Sequence, residues 1–142
     1  MAILQGAAYW AAVTTPNTTF EPVYSVNLVV NQSVADDFAS RGFTIKQMDE
    51  GPAVVIKRKV NGPNGMIRQA PRLVDANKNQ LDARIGNGST VKVQYKEWQS
   101  EWKGKTFYGL DFQAMQVIDL IEVGSPDGSE FEALMGDMED EL

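Results

Sequence analysis

Apolar residues along this chain recur mostly at every second position, in short runs broken by Gly, Pro, Asn and Asp. That period belongs to half-buried strands, whose alternate side chains face a core. Gly6 to Val13 predicts a first strand with Tyr9 and Trp10 on opposite faces, and Thr14 to Thr19, with Pro16 and Asn17, predicts a loop. Val23 to Val30 alternates cleanly: Tyr24, Val26, Leu28 and Val30 share one face, opposite Ser25 and Asn27. Ala53 to Val60 sets Val54, Ile56 and Val60 against Lys57 and Lys59. Val91, Val93 and Tyr95 point inward from a strand whose Lys92, Gln94, Lys96 and Trp98 point outward. Thr106 to Val123 is a long β-rich stretch whose apolar phase slips between Phe112 and Met115, which predicts a bulge or a sharp bend.

Turn chemistry separates these runs. Asn61-Gly62-Pro63-Asn64-Gly65, Asp75 to Asn79, Gly86-Asn87-Gly88 and Gly104 all carry residues that tolerate tight turns. Pro71 limits the next segment to a short or edge strand. One helix is predicted, from Ser33 to Gly42: Ser33 as N-cap, Asp36 and Asp37 toward the positive end, Val34 and Phe38 on one face, and Gly42 as the left-handed stop. Many short strands with one helix make a mainly β domain. On pattern alone, a small barrel and a small sandwich both satisfy it.

At 142 residues and 43% apolar, the chain suits one compact domain plus an appendage. Its apolar runs are too short to span a bilayer, and no basic region precedes an apolar one at the start, so a soluble cytoplasmic protein is expected. With no Cys and no His, it lacks disulfides, thiolate metal sites, the Ser/His triad and the commonest general base. Its carboxylates are scattered without ligand spacing. No metal, cofactor or enzymatic activity is therefore expected.

Charge sharpens the picture. All thirteen Lys and Arg lie between Arg41 and Lys105, where six acids leave a balance of +7. From Asp127 to Leu142 there are seven acids and no base. A basic middle and an acidic end suggest a polyanion-binding body with an interaction tail.

Residues Val91 to Tyr108 interleave aromatic rings with lysines. Single-stranded nucleic acid presents unstacked bases and a phosphate chain, which rings and cations meet respectively. Trp98 shares the Lys-bearing face of its strand and is the leading stacking candidate, followed by Trp102, Tyr108 and Trp10. Tyr95 and Phe107 read as core rings. Lys92, Lys96, Lys103 and Lys105 are the phosphate candidates here. A second basic run, Lys57 and Lys59 followed by Arg68 and Arg72, adds four more, although Lys-rich strands also serve simply to protect a sheet edge. The acidic end, with Asp137, Glu139, Asp140, Glu141 and Leu142, imitates a phosphate chain and is a candidate partner-binding tail. Gly86-Asn87-Gly88 lacks the full dinucleotide fingerprint and enters a strand, so it reads as a turn.

Three stretches together resemble the single-stranded DNA-binding proteins of short-tailed, T-seven-type phages. They are Val23-Tyr-Ser-Val-Asn-Leu-Val-Val30, Leu73-Val-Asp-Ala76 followed by Ile85-Gly-Asn-Gly-Ser-Thr-Val-Lys-Val-Gln-Tyr95, and Gln113-Ala-Met-Gln-Val-Ile-Asp-Leu120. With the acidic end, the likeness runs from about Ala7 to Leu142. It implies an OB-fold-type five-stranded Greek-key barrel over residues 1–123, with one short helix, and a flexible acidic C-terminal tail over 124–142. It further implies sequence-independent coating and protection of single-stranded DNA in phage replication and recombination. A tail that competes with DNA and contacts DNA polymerase and helicase, a homodimer, and location in the cytoplasm of the infected host are implied by the same resemblance. Two features depart from it: the helical insertion is reduced to Ser33–Gly42, and the tail ends in Leu142 where an aromatic residue is expected. The competing reading is an adaptor module that acts through its acidic tail and binds no nucleic acid.

Overall fold

The alternating runs become the walls of a closed cylinder. The computed structural model describes residues 2–121. In chain order the elements are β1 (Ala2–Asn17), β2 (Val23–Val29), α1 (Gln32–Ser40), β3 (Ile45–Met48), β4 (Gly51–Lys59), β5 (Arg72–Val74), β6 (Ser89–Trp102) and β7 (Lys105–Asp119). Antiparallel pairing joins β4 to β2, β2 to β1, β1 to β6 and β6 to β7. A parallel contact, Lys57 with Asp111, then closes β4 onto β7. Five strands form the OB-type barrel, with β3 and β5 as short outer strands on β4 and β7.

The core follows the sequence pattern. Val26, Leu28, Val54, Ile56, Val91, Val93, Phe112 and Met115 are fully buried. Each such side chain contributes about 1.5–3 kcal/mol by leaving water. The expected phase slip in β7 is a bulge. Tyr95 pairs with Phe112 and Gln94 with Ala114, so Gln113 has no partner across the ladder and both Phe112 and Met115 turn inward. The Gly86–Gly88 turn is also present: Gly88 has a φ of +93°, and the buried Ser89 hydroxyl donates to the Gly86 carbonyl at 2.8 Å and accepts from the Ile121 amide at 2.8 Å.

Several expectations are corrected. β1 continues to Asn17, because Asn17 still pairs with Val23, so the chain from Thr14 to Asn17 is strand. The helix is capped by Asn31, not Ser33. The Asn31 side chain accepts from the Val34 amide at 2.9 Å, and the Ser33 hydroxyl donates to that same oxygen. Asp36 and Asp37 then fall past the first turn. Strand β3 has no clear alternation and forms only because β4 offers it an edge. The expected boundary at residue 123 and the acidic residues 124–142 lie outside the described residues.

Candidate nucleic-acid interface

Past Glu97 the β6–β7 hairpin runs beyond the barrel as a two-stranded arm, exposed along nearly its whole length. Lys103 and Gly104 close it with φ values of +52° and +76°, the two positive angles that a tight two-residue hairpin turn needs. Such a ribbon is marginal on its own. The turn that ends helix α1 steadies its base. Arg41 bonds Glu97 at 2.8 Å and Asp37 at 3.3 Å, and Tyr108 meets Phe43 edge-on at 5.9 Å while lying against Gly42.

Register sorts the arm's side chains. Trp98 pairs with Gly109, Ser100 with Phe107 and Trp102 with Lys105. Directly paired residues share a face, so Trp98, Trp102, Phe107 and Lys105 stand on one side. Tyr108 pairs with Gln99 and stands on the other, against Gly42 and Phe43 just after the helix. Trp98 is 44% exposed, and its indole lies flat on Gly109, where any Cβ would collide with the ring. The expectation that Phe107 is a core ring is corrected: it is exposed beside these tryptophans, because the strand has left the barrel at that point and has no interior to face.

The same outward face continues down to the barrel and becomes one wall of an open cleft of about 850 Å³. Lys96 and Trp98 come from β6, Lys57 and Lys59 from β4, and Arg68 from the loop between β4 and β5. With Arg58, five cations line the cleft against two carboxylates, Glu21 and Asp111. Lys59 sits 3.7 Å from Glu21, both well exposed, a pairing worth little. Lys57 and Lys96 have no carboxylate partner among the described residues.

Asp111 anchors the cleft floor at the seam between β4 and β7. Arg58 grips it with two bonds, Nε to Oδ1 at 3.1 Å and Nη2 to Oδ2 at 2.7 Å. Arg68 adds a third at 2.8 Å, and the bulged Gln113 donates to Oδ2. Burial alone would raise the Asp111 carboxyl. The bonds and charge of Arg58, the charge of Arg68 and the Gln113 bond outweigh it and hold the group below the usual carboxylate range. One carboxylate thus orients two arginines, and the second of them, Arg68, is one-third exposed on the cleft wall.

The residues singled out from sequence therefore divide. Lys57, Lys59, Arg68, Lys96 and Trp98 converge on one cleft. Trp102 and Lys105 extend its aromatic face along the arm, with Lys103 at the tip, 4.4 Å over the Trp102 ring. Arg72 and Lys92 line a separate, smaller cleft. Tyr108 packs against Gly42 and Phe43 after the helix. Trp10 sits in a bulge of β1 with a φ of +54°, rare for a bulky side chain, its amide donating to Asn87. The tail residues Asp137, Glu139, Asp140, Glu141 and Leu142 lie outside the described residues. Sequence reading missed Phe20, which is 90% exposed in the β1–β2 loop beside Glu21 of the cleft. An aromatic ring amid turn residues was its only signal. Among the described residues, no three acidic groups come together to hold a metal ion.

No protein-family model matches the chain, and no curated protein sequence matches it. Solved structures do. The crystal structure of gp2.5, a single-stranded DNA-binding protein encoded by bacteriophage T7, is similar with a TM-score of 0.61 and 15% identity over 99% of this chain and 97% of that one. The single-stranded DNA-binding protein of bacteriophage Enc34 is similar with a TM-score of 0.57 and 13% identity over 93% and 89%. The same Enc34 protein in complex with single-stranded DNA matches with a TM-score of 0.56 and 12% identity over 87% and 88%. The barrel and its decorations are thus the fold of these phage single-stranded DNA-binding proteins.

Proposed function

We propose that this chain binds single-stranded DNA without sequence preference and coats exposed strands, acting by binding and not by catalysis. The observation that carries this reading is the convergence of Lys57, Lys59, Arg68 and Lys96 with the outward ring of Trp98 in one open cleft. Bases stack on Trp98 and then on Trp102 and Phe107 along the arm, while the cations neutralise phosphates. Stacking and phosphate neutralisation act on any base, which suits sequence tolerance. The solved Enc34 complex with single-stranded DNA, on the same fold, supports the choice of ligand.

In this reading the protein works in phage DNA replication and recombination, in the cytoplasm of the infected host. Its acidic residues 124–142 compete with DNA for the cationic cleft and, once displaced, meet basic pockets on a polymerase or helicase; self-association as a dimer belongs to the same scheme. Titrating the intrinsic tryptophan fluorescence with poly(dT) at low and high salt tests the core of it. Strong quenching that fades with salt is expected. An unchanged signal at both salts would defeat the stacking mechanism and move the adaptor reading to first place.

A further inference from the structure

A second surface lies on the outer face of the same sheet. Across four strands, Arg72 stands beside Ala114, Ala114 beside Gln94, and Gln94 beside Ile3. One step along, Val74 stands beside Gln116 and Gln116 beside Lys92. These rows line a cleft of about 290 Å³. Its floor is mainly apolar, from Ile3, Val74 and Ala114 with Gln94 and Gln116 between them, and its rim carries three cations, Arg72, Lys78 and Lys92. No carboxylate among the described residues lines it. None of the three cations is in an ion pair among the described residues. Lys78 is held at a φ of +68° in a turn that Asp75 pins, its side chain accepting from the Asn77 and Asn79 amides at 2.8 and 3.0 Å.

A mainly apolar floor under a rim whose charges are all positive complements a ligand with flat apolar rings and regular negative charge. Free phosphate would use the rim and waste the floor. The cleft is also aligned with the main groove. Lys92 and Lys96 point outward from the same strand, four residues and roughly 13 Å apart. A strand leaving Trp98 and Lys96 along β6 would run directly into it.

We infer that this cleft is a second subsite for single-stranded DNA, taking the nucleotides next to those held in the groove. Bases rest on the floor and phosphates meet Arg72, Lys78 and Lys92. The inference rests on the single-stranded DNA reading of the groove, and it makes the footprint longer than the groove alone.

The test compares two dT oligonucleotides of about 6 and about 16 nucleotides, lengths that bracket most OB-fold site sizes. Each is titrated against the full chain, the Arg72→Ala/Lys92→Ala variant and the Lys57→Ala/Lys59→Ala variant. The first variant is expected to lose about tenfold on the long oligonucleotide and less than about twofold on the short one. Its salt slope on the long one should fall by about 1.4, from two lost phosphate contacts. Lys92→Glu should deepen the same length-dependent loss. Equal effects on both lengths, or none, while Lys57→Ala/Lys59→Ala weakens both, would overturn the subsite and leave the groove standing. Tighter binding by the Arg72→Ala/Lys92→Ala variant would also overturn it. Failure of the unmodified chain to bind either length would overturn the groove reading and the subsite together.

Discussion

The indole of Trp98 lies across Gly109, its direct partner on the neighbouring strand, so that glycine makes room for the ring and the ring covers the glycine. The ring is thereby held as a flat platform on a stretch of ribbon that has left the core. Trp98→Ala should weaken poly(dT) binding by about 1–3 kcal/mol, the usual worth of one stacked base. Gly109→Ala should displace the ring and reduce fluorescence quenching with little change in melting temperature, because the arm stands outside the barrel. Undiminished quenching in Gly109→Ala would show that this geometry is irrelevant to binding.

The groove lysines should act additively and through salt. Lys57→Ala and Lys96→Ala should each lower the slope of log affinity against log salt by about 0.7, one single-strand phosphate contact apiece. Filter binding or anisotropy across a salt series measures it. An unchanged slope would place that lysine away from the phosphate path.

Asp111 predicts a pH dependence. Its folded value is held below the ordinary one by Arg58, Arg68 and Gln113 despite burial. The stability it contributes is therefore present above the unfolded value of about 3.9 and is lost as pH falls through the lower folded value. Asp111→Ala should cost roughly 3 kcal/mol at neutral pH, since it leaves two arginines unpaired at the seam. The gap in melting temperature between the two proteins should narrow on acidification below about pH 4. A constant gap from neutral to acid pH would remove the carboxylate from the account.

Tyr108 predicts an effect on the arm instead of on the groove. Removing its ring from Gly42 and Phe43 takes away one of the two contacts that steady the hairpin base. Tyr108→Ala should speed trypsin cleavage at Lys103 and Lys105 severalfold while leaving the barrel's unfolding midpoint nearly unchanged. Equal cleavage rates in both proteins would mean that the Arg41–Glu97 bond alone holds the arm.

Phe20 should behave as a loop contact. With its ring almost wholly exposed, Phe20→Ala should leave stability within about 0.5 kcal/mol. If the ring closes over bound DNA, affinity should drop by about 1 kcal/mol or more. Unaltered affinity would remove it from the interface.

Much of the barrel is legible in the sequence because its strands alternate and its bulge announces itself. Val26 and Leu28, Val91 and Val93 point where period two puts them, and Gln113 bulges where the apolar phase slips. Periodicity names two faces of a strand but not where the core ends, which is why Phe107 reads as an inside ring and stands outside. Strand β3 has no pattern of its own, and Asn31 outcompetes Ser33 as cap by geometry that spacing cannot rank. The grip of Arg58 and Arg68 on Asp111 joins residues 53 and 43 positions apart, a contact only the closed barrel creates. The cations Arg72 and Lys92 read as part of one basic set, and only the order of strands assigns them to a cleft of their own.

The seam has a consequence for how such a protein can change. Lys57 and Asp111 are the single registered pair through which β4 meets β7, and both line the groove. Replacing the acid would make the groove more positive and, taken alone, favour DNA. It would also unlatch the cylinder at the place where its wall is thinnest. Affinity and integrity are thus written into the same codons, so variation toward tighter binding is channelled outward, to the arm and the loops, where a residue can be altered without opening the wall.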